Sequence, residues 1–343
     1  MKNLTLKDIA IALNISITTV SKALKDYPDV SWATKKKVIE YSEKVNFKPN
    51  AQASFLRTRK TKILGVIVPT FIHHFFGSVL EGIITRAEEA GYMVITLCSN
   101  ESEEKEKKLV AALVQHNVDG IFLSISHKTR DITHLKEVQK NGTSLIIFDR
   151  TARFLDCSNV VINDRGAAYE ATKHLIEQGC KKIAHFRGGL LPQIAIDRFL
   201  GYKKALEDHG IEYDKDLIAI CENADEIDGY MSAQIFHQSG IEIDGLFAVS
   251  DLTATGAIRF FQKVKLRIPE DIAVVGFSNW QLSTLTTPTL STVDQSGFLM
   301  GEEIIRLFLQ QMEQVRKKEE ITFSTSILPS KLIVRESSKR RKK

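Results

Sequence analysis

Residues 14–31 read NISITTVSKALKDYPDVS, and the reading of this stretch decides what the N-terminal end is. Ile15, Ile17, Thr18, Thr19 and Val20 are β-branched, a class that favours strands. The surrounding pattern is nevertheless helical. Leu6, Ile9, Ala10 and Leu13 fall at i, i+3, i+4 and i+7, one apolar helical face, behind a capping-box pattern at Thr5-Leu6-Lys7-Asp8. Asn14 can close that helix, and Ser16 offers an N-cap for a second. Val20, Ala23 and Leu24 form the second helix's inner stripe, and Tyr27-Pro28-Asp29 breaks it. Ser31 caps a third helix, with Val38, Tyr41 and Val45 inward and Lys35, Lys36 and Lys37 outward. Three short helices with a tight turn between the first two make a helix-turn-helix, whose second helix enters the major groove of DNA by its N-terminal residues. Ile17, Thr18 and Thr19 then lie on an exposed first turn, where methyls and hydroxyls can reach phosphates and base edges. Ser16, Ser21 and Lys22 complete the row, and Thr5 is a further candidate contact.

The charge distribution agrees. Residues 1–62 hold 13 Lys and Arg against 5 Asp and Glu, a net of +8, whereas residues 63–338 carry −8 and the closing KRRKK adds +5. A basic head on an acidic body is the footprint of a head that meets a polyanion. After the head comes KPNAQASFLRTRKTK, residues 48–62. Asn50 can cap a helix through Leu56 that is too short to hold itself together in water. Phe55 and Leu56, flanked by Arg57 and Arg59, suit a segment that folds on DNA and wedges a side chain into the minor groove. Asn50, Ala53, Leu56 and Arg57 are therefore candidate DNA contacts.

These residues carry a resemblance. LKDIAIALNISITTVSKAL, DVS and KVNFKPNAQASFLRTRKTKILGVIVP resemble the LacI/GalR family of bacterial transcription regulators, densely over residues 4–69. The resemblance implies a dimer on a near-palindromic operator, recognition positions at Ile17, Thr18 and Lys22, and an intercalating leucine at Leu56. Lys22 stands where Arg is common and Ser54 stands where the hinge often carries Arg.

The body alternates short apolar strands with helical patterns. ILGVIV, MVITLCS, GIFLSIS and LIIFDR form one series, and VVIND, KIAHFRG, LIAIC, GLFAVSD and IAVVGFSN form a second. Near-continuous apolar strands fit buried parallel sheets, and two series imply two doubly wound lobes. The expected fold is thus α/β: an all-α helix-turn-helix head, residues 1–48, a hinge over 49–61, and a two-lobed body, residues 62–338. The resemblance implies that the body is periplasmic-binding-protein-like. Lobe 1 is expected at about 62–160 and 292–321, lobe 2 at about 161–291 and 322–338, and a disordered basic tail at 339–343.

Ligands of open α/β sheets sit beyond the carboxyl ends of the strands. The residues there are Phe71, His73, Phe75, Ser124, Ser126, Asp149, Arg150, Arg187, Ser250, Asp251, Ser278 and Asn279, with Arg198 heading a helix around 198–210. Hydroxyls, amides, a few charges and nearby rings suit a polyhydroxylated ligand. By the family pattern Asp149, Arg198, Asp251 and Gln295 are effector positions. Ser278-Asn279 replaces a common Asp pair, which, with His73, leaves room for a phosphorylated or acidic sugar. Trp280 could stack on a sugar ring. The expected effector contacts are His73, Phe75, Ser124, Asp149, Arg198, Ser250, Asp251, Ser278 and Gln295.

No P-loop, G-x-S-x-G or G-x-G-x-x-G pattern occurs, so neither an enzyme nor a cofactor is expected. Cys98, Cys157, Cys180 and Cys221 form no C-x-x-C pair, so no metal is expected either. The N-terminus lacks a secretory h-region, and no apolar run is long enough to span a membrane; a cytoplasmic homodimer is the expectation. The competing reading is a soluble sugar-binding protein or sugar-acting enzyme on the same two-lobed fold.

Overall fold

A computed structural model describes residues 4–47, 60–152 and 155–340. The chain divides into two compact units, residues 1–61 and 62–343. In the first, α1 (Leu6–Leu13), α2 (Ile17–Ala23) and α3 (Trp32–Lys44) close around Ile9, Ala10, Val20, Ala23 and Val38. Each start is fixed by its cap. The Asp8 carboxylate accepts from the Thr5 backbone N–H at 2.8 Å while the Thr5 hydroxyl accepts from Asp8 N–H at 3.3 Å. Ser16 accepts from Thr19 N–H at 3.0 Å, and Ser31 from Thr34 N–H at 3.3 Å. Asn14 ends α1 in the left-handed conformation, φ 52°. The β-branched run is divided between inside and outside: Ile15 and Val20 pack on the core, whereas Ile17 and Thr18 are exposed. The hinge expected over 49–61 lies almost wholly outside the described residues, and with it Asn50, Ala53, Leu56 and Arg57.

The second unit contains two six-stranded sheets. The first has the order β11-β5-β4-β3-β1-β2, all parallel, from β1 (Ile63–Val68), β2 (Met93–Cys98), β3 (Gly120–Leu123), β4 (Ser144–Phe148), β5 (Ser158–Ile162) and β11 (Thr325–Leu328). The second has the order β12-β10-β9-β8-β6-β7, from β6 (Ile183–Arg187), β7 (Ile218–Ile220), β8 (Gly245–Ala248), β9 (Ala273–Phe277), β10 (Ser291–Asp294) and β12 (Lys331–Ile333). Within it β12 alone runs antiparallel to its neighbour, β10. Helices α4 (His74–Glu89), α5 (Glu103–Gln115) and α6 (Thr133–Lys140) connect the first sheet. Helices α7 (Asp164–Glu177), α8 (Gln193–Asp208), α9 (Glu226–Gln238) and α10 (Asp251–Lys263) serve the second, and α11 (Gly297–Lys317) returns to the first lobe against α4. One apolar cluster runs from Phe122 and Phe308 to Tyr202, Phe247 and Phe277, so the lobes share a continuous core.

Four boundaries differ from the sequence expectation. VVIND does not open the second series: β5 pairs with β4 and closes the first. β10 stays in the second sheet beside β9, so the chain crosses back at residues 294–297. β11 pairs with β5 in the first sheet and β12 with β10 in the second, placing the third crossing at residues 328–331. Helix α8 starts at Gln193 behind Pro192, so Arg198 lies in its second turn rather than at its head. The basic end also begins later than expected: Arg340 is anchored, its guanidinium donating to the carbonyls of Pro269 and Asp244 at 2.9 and 2.7 Å.

Candidate functional site

The carboxyl ends of both sheets open onto one cleft of about 740 Å³, counted to its open mouth. His73, Phe75, Glu101, His127, Asp149 and Arg150 line it from the first lobe. Gly188, Pro192, Arg198, Glu222, Asn223, Ser250 and Ser278 line it from the second, with Gln295 at the crossing. Four of these lining segments hold non-glycine backbone at positive φ: Glu101 (55°), Asp149 (60°), Ala224 (52°) and Ser278 (110°). Such conformations cost of order 1–3 kcal/mol each and gather where geometry serves a site.

Arg198 is held on three sides. It is buried, donates through Nε to Asp164 Oδ1 at 2.7 Å and through Nη1 to the Val249 carbonyl at 3.0 Å, and lies 3.6 Å from the centre of the Phe277 ring. Burial pushes the Asp164 carboxyl up to about 6, and Arg198 pulls against that. Asp149 is buried too, its acidity lowered by desolvation. Its Oδ2 accepts from Ser124 at 3.4 Å. Arg150 donates to both Glu101 oxygens, at 2.8 and 2.9 Å. Glu101 accepts besides from the His127 backbone N–H at 2.8 Å. Burial alone would raise Glu101, but the bonds from His127 and Arg150 overcome it and hold the carboxyl near 2. Burial keeps His73 below its ordinary value, favouring the neutral ring.

Seven of the nine expected effector residues come together here: His73, Phe75, Asp149, Arg198, Ser250, Ser278 and Gln295. Ser250 also caps α10, accepting from Thr253 N–H at 3.1 Å. Two do not line the cleft. Ser124 is fully buried and touches Asp149 from behind. Asp251 is buried and aims away from the ligand space: its carboxylate accepts from Trp280 N–H at 2.7 Å and from the Thr292 hydroxyl at 2.5 Å. It therefore fastens the loop after β9 to β10. A Cβ on Gly276 would collide with Asp251 Oδ1, so the glycine makes room for that carboxylate. Other residues placed after strands are committed elsewhere. Arg187 stacks on Phe199 with 4.5 Å to the ring centre, Asn279 accepts from Arg335 at 2.8 Å, and Ser126 N–H donates to Glu106 at 2.7 Å. Phe71 and Trp280 do not line the cleft.

Glu101, His127, Pro192, Glu222 and Asn223 line the cleft without having been expected. Glu101 and Glu222 follow β2 and β7, the strands next to β1 and β6, and the rule about strand ends applies to them equally.

In the head, Ile17 and Thr18 are exposed at the start of α2, and Thr19 is half-buried with Oγ1 2.8 Å from Ser16 Oγ. The hydroxyls of Thr5 and Ser16 are occupied as caps. Ser21 and Lys22 are half-buried, and the Lys22 ammonium pairs with the Asp29 carboxylate beyond the helix.

Residues 61–335 match the family described as periplasmic binding proteins and sugar binding domain of LacI family, and residues 5–50 match bacterial regulatory proteins, lacI family. The chain belongs to the LacI family. It is 32% identical over 337 residues to a ribose operon repressor of Halalkalibacterium halodurans, covering 98% of this chain and 97% of that one. A LacI family transcriptional regulator from Enterococcus faecium, solved with bound ribose, superposes with a TM-score of 0.71 at 25% identity over 82% of this chain and all of its own. The Lac repressor dimer bound to operator shares the fold, with a TM-score of 0.84 at 22% identity over 98% of this chain and 99% of that one. As a LacI-family protein the chain is a DNA-binding transcription regulator, and the reading as a free-standing sugar-binding protein gives way. Among the described residues no helix is long and apolar enough to cross a membrane.

Proposed function

We propose that this regulator binds a near-palindromic operator as a homodimer and that a sugar held in the cleft changes its operator affinity. The observation that carries the reading is one chain joining a basic helix-turn-helix, with Ile17 and Thr18 exposed on α2, to a two-lobed body whose sheets aim their carboxyl ends at a polar cleft. Ile17, Thr18, Thr19, Ser21 and Lys22 read the major groove, with Thr5 and Ser16 near the backbone; Leu56, with Asn50, Ala53 and Arg57, forms the minor-groove wedge. His73, Phe75, Asp149, Arg198, Ser250, Ser278 and Gln295 hold the sugar, Arg198 and Asp149 bonding its hydroxyls and Phe75 covering a C–H face. Ligand closing the lobes acts on residues 48–60, through which body and head are joined. The ribose-linked relatives make ribose the first sugar to try. The protein acts in the cytoplasm and catalyses no reaction.

The test is selection of random duplex DNA by the purified protein. A recovered palindrome supports the reading and supplies the probe for a sugar screen. Enrichment of no motif, with and without sugars present, would refute sequence-specific binding.

A further inference from the structure

The cleft's charges narrow the class of ligand, given that the cleft is a sugar site. Two guanidiniums line it, and each is already matched by a carboxylate. Arg198 is tied to Asp164 at 2.7 Å, behind the cleft wall. Arg150 is tied to Glu101 at 2.8 and 2.9 Å. Glu101 is itself fixed from three further directions: His127 N–H and His127 Nδ1, each at 2.8 Å, and the Ser126 hydroxyl at 3.3 Å. The remaining acids facing the cleft are matched to no guanidinium of their own: Asp149 at its floor, with Oδ2 3.9 Å from Nε of the already paired Arg150, and Glu222 at its rim, exposed beside Gly189. His73 adds no positive charge, because burial favours its neutral form.

The backbone contributes the other way. Helices α4 and α8 begin at His73 and Pro192 on the cleft and have no side-chain cap, so each presents roughly half a positive charge. Those two ends together offset about one carboxylate and leave nothing to balance a phosphate dianion.

We propose that the effector is an uncharged polyol, and that Glu101 is the specificity residue that shuts out its phosphate ester by holding Arg150. This reverses the phosphorylated-sugar expectation raised by Ser278-Asn279. In a neutral ligand, hydroxyls donate to Asp149 and Glu222 and accept from the guanidinium edges left free, with no charge stranded in the closed cleft. A phosphate would face the Asp149 carboxyl and the Glu222 carboxylate, and would compete with Glu101 for Nη1 of Arg150.

Calorimetric titration of the full-length protein with ribose, ribose 5-phosphate, glucose and glucose 6-phosphate is the first arm. The expected result is that a neutral sugar binds and its phosphate is weaker by at least about tenfold. A phosphate ester binding as tightly as its parent overturns the proposal and leaves the sugar reading standing. Silence from all four overturns both for these two sugars, with the sugar reading then judged by operator release in a wider screen. The second arm uses inorganic phosphate and needs no knowledge of the sugar. Glu101→Gln frees Arg150, and phosphate affinity should rise at least about tenfold over wild type. The added change Arg150→Gln should abolish the gain. A folded Glu101→Gln protein with unchanged phosphate affinity would overturn the role given to Glu101. If that variant fails to fold, the wild-type comparison of ribose with its phosphate decides alone.

Discussion

Asp251→Asn separates a carboxylate that holds the cleft from one that touches the sugar. Burial raises the Asp251 carboxyl from its ordinary 3.8 up to about 7, against the bonds from Thr292 and Trp280. An acid whose pKa rises on folding binds its proton more readily in the native chain. Wild-type stability from this group is therefore full below about 4, falls as pH climbs towards about 7, and is level above. Three units at about 1.4 kcal/mol each make about 4 kcal/mol the upper bound of the loss. The amide of the variant cannot ionise. Urea unfolding of wild type and variant between pH 4 and 8 should show the variant gaining on wild type by up to this amount. Asp164 titrates in the same direction, whereas His73, His174 and His185, lowered by burial, run the opposite way. Subtracting the two curves removes all four. Trp32 and Trp280 are the only tryptophans, so a Trp32→Phe background lets fluorescence report from the loop that Asp251 fastens. Sugar affinity of the variant should stay within about threefold of wild type, less than 1 kcal/mol. A stability difference constant across the pH range, or sugar binding abolished in a folded variant, would refute the placement of Asp251 behind the cleft.

The pairing of Lys22 with Asp29 gives a second expectation. Asp29→Asn should alter base preference at one half-site position, whereas Asp26→Asn, which releases Lys35, should strengthen all sequences alike; selection on random DNA distinguishes them. Leu56→Ala should weaken operator binding while non-specific binding survives, and unchanged operator affinity in gel shifts would argue against a wedge. Gly229→Ala drives a Cβ into the Thr253 carbonyl between α9 and α10, and should cost roughly 1–3 kcal/mol or more in denaturant melts. Arg198→Ala leaves Asp164 buried without its partner and should cost about 3–5 kcal/mol, with loss of sugar response in whatever folds.

The fold was largely legible because its periodicities are unmixed. Capping side chains at Thr5, Ser16 and Ser31 and apolar stripes place the three head helices almost to the residue. The buried parallel strands announce themselves as continuous apolar runs. What could not be read was which sheet a strand joins. Nothing local in VVIND or in the stretch that holds β11, ITFSTSILP at residues 321–329, distinguishes a first-lobe strand from a second-lobe one, since pairing partners lie far along the chain. The site was legible where the first residue past a strand faces the cleft, as at Asp149 and Ser278, and misread where the next helix turns the side chain back. Asp251, first residue of α10, is such a case. Glu101 escapes a reading confined to the residue directly after each strand, because it lies three residues beyond β2, as the second of a left-handed pair at Asn100-Glu101.

The central claim is that operator and sugar are coupled through one chain. The direct measurement is the sugar's dissociation constant for the free protein and for the protein saturated with its selected operator, set beside the operator's constant with and without sugar. Coupling is reciprocal, so both ratios must be the same number and differ from one, by about 5–150-fold for an ordinary allosteric protein. Two ratios of one would mean that the cleft and the head do not communicate, and the regulator account would fail at its centre.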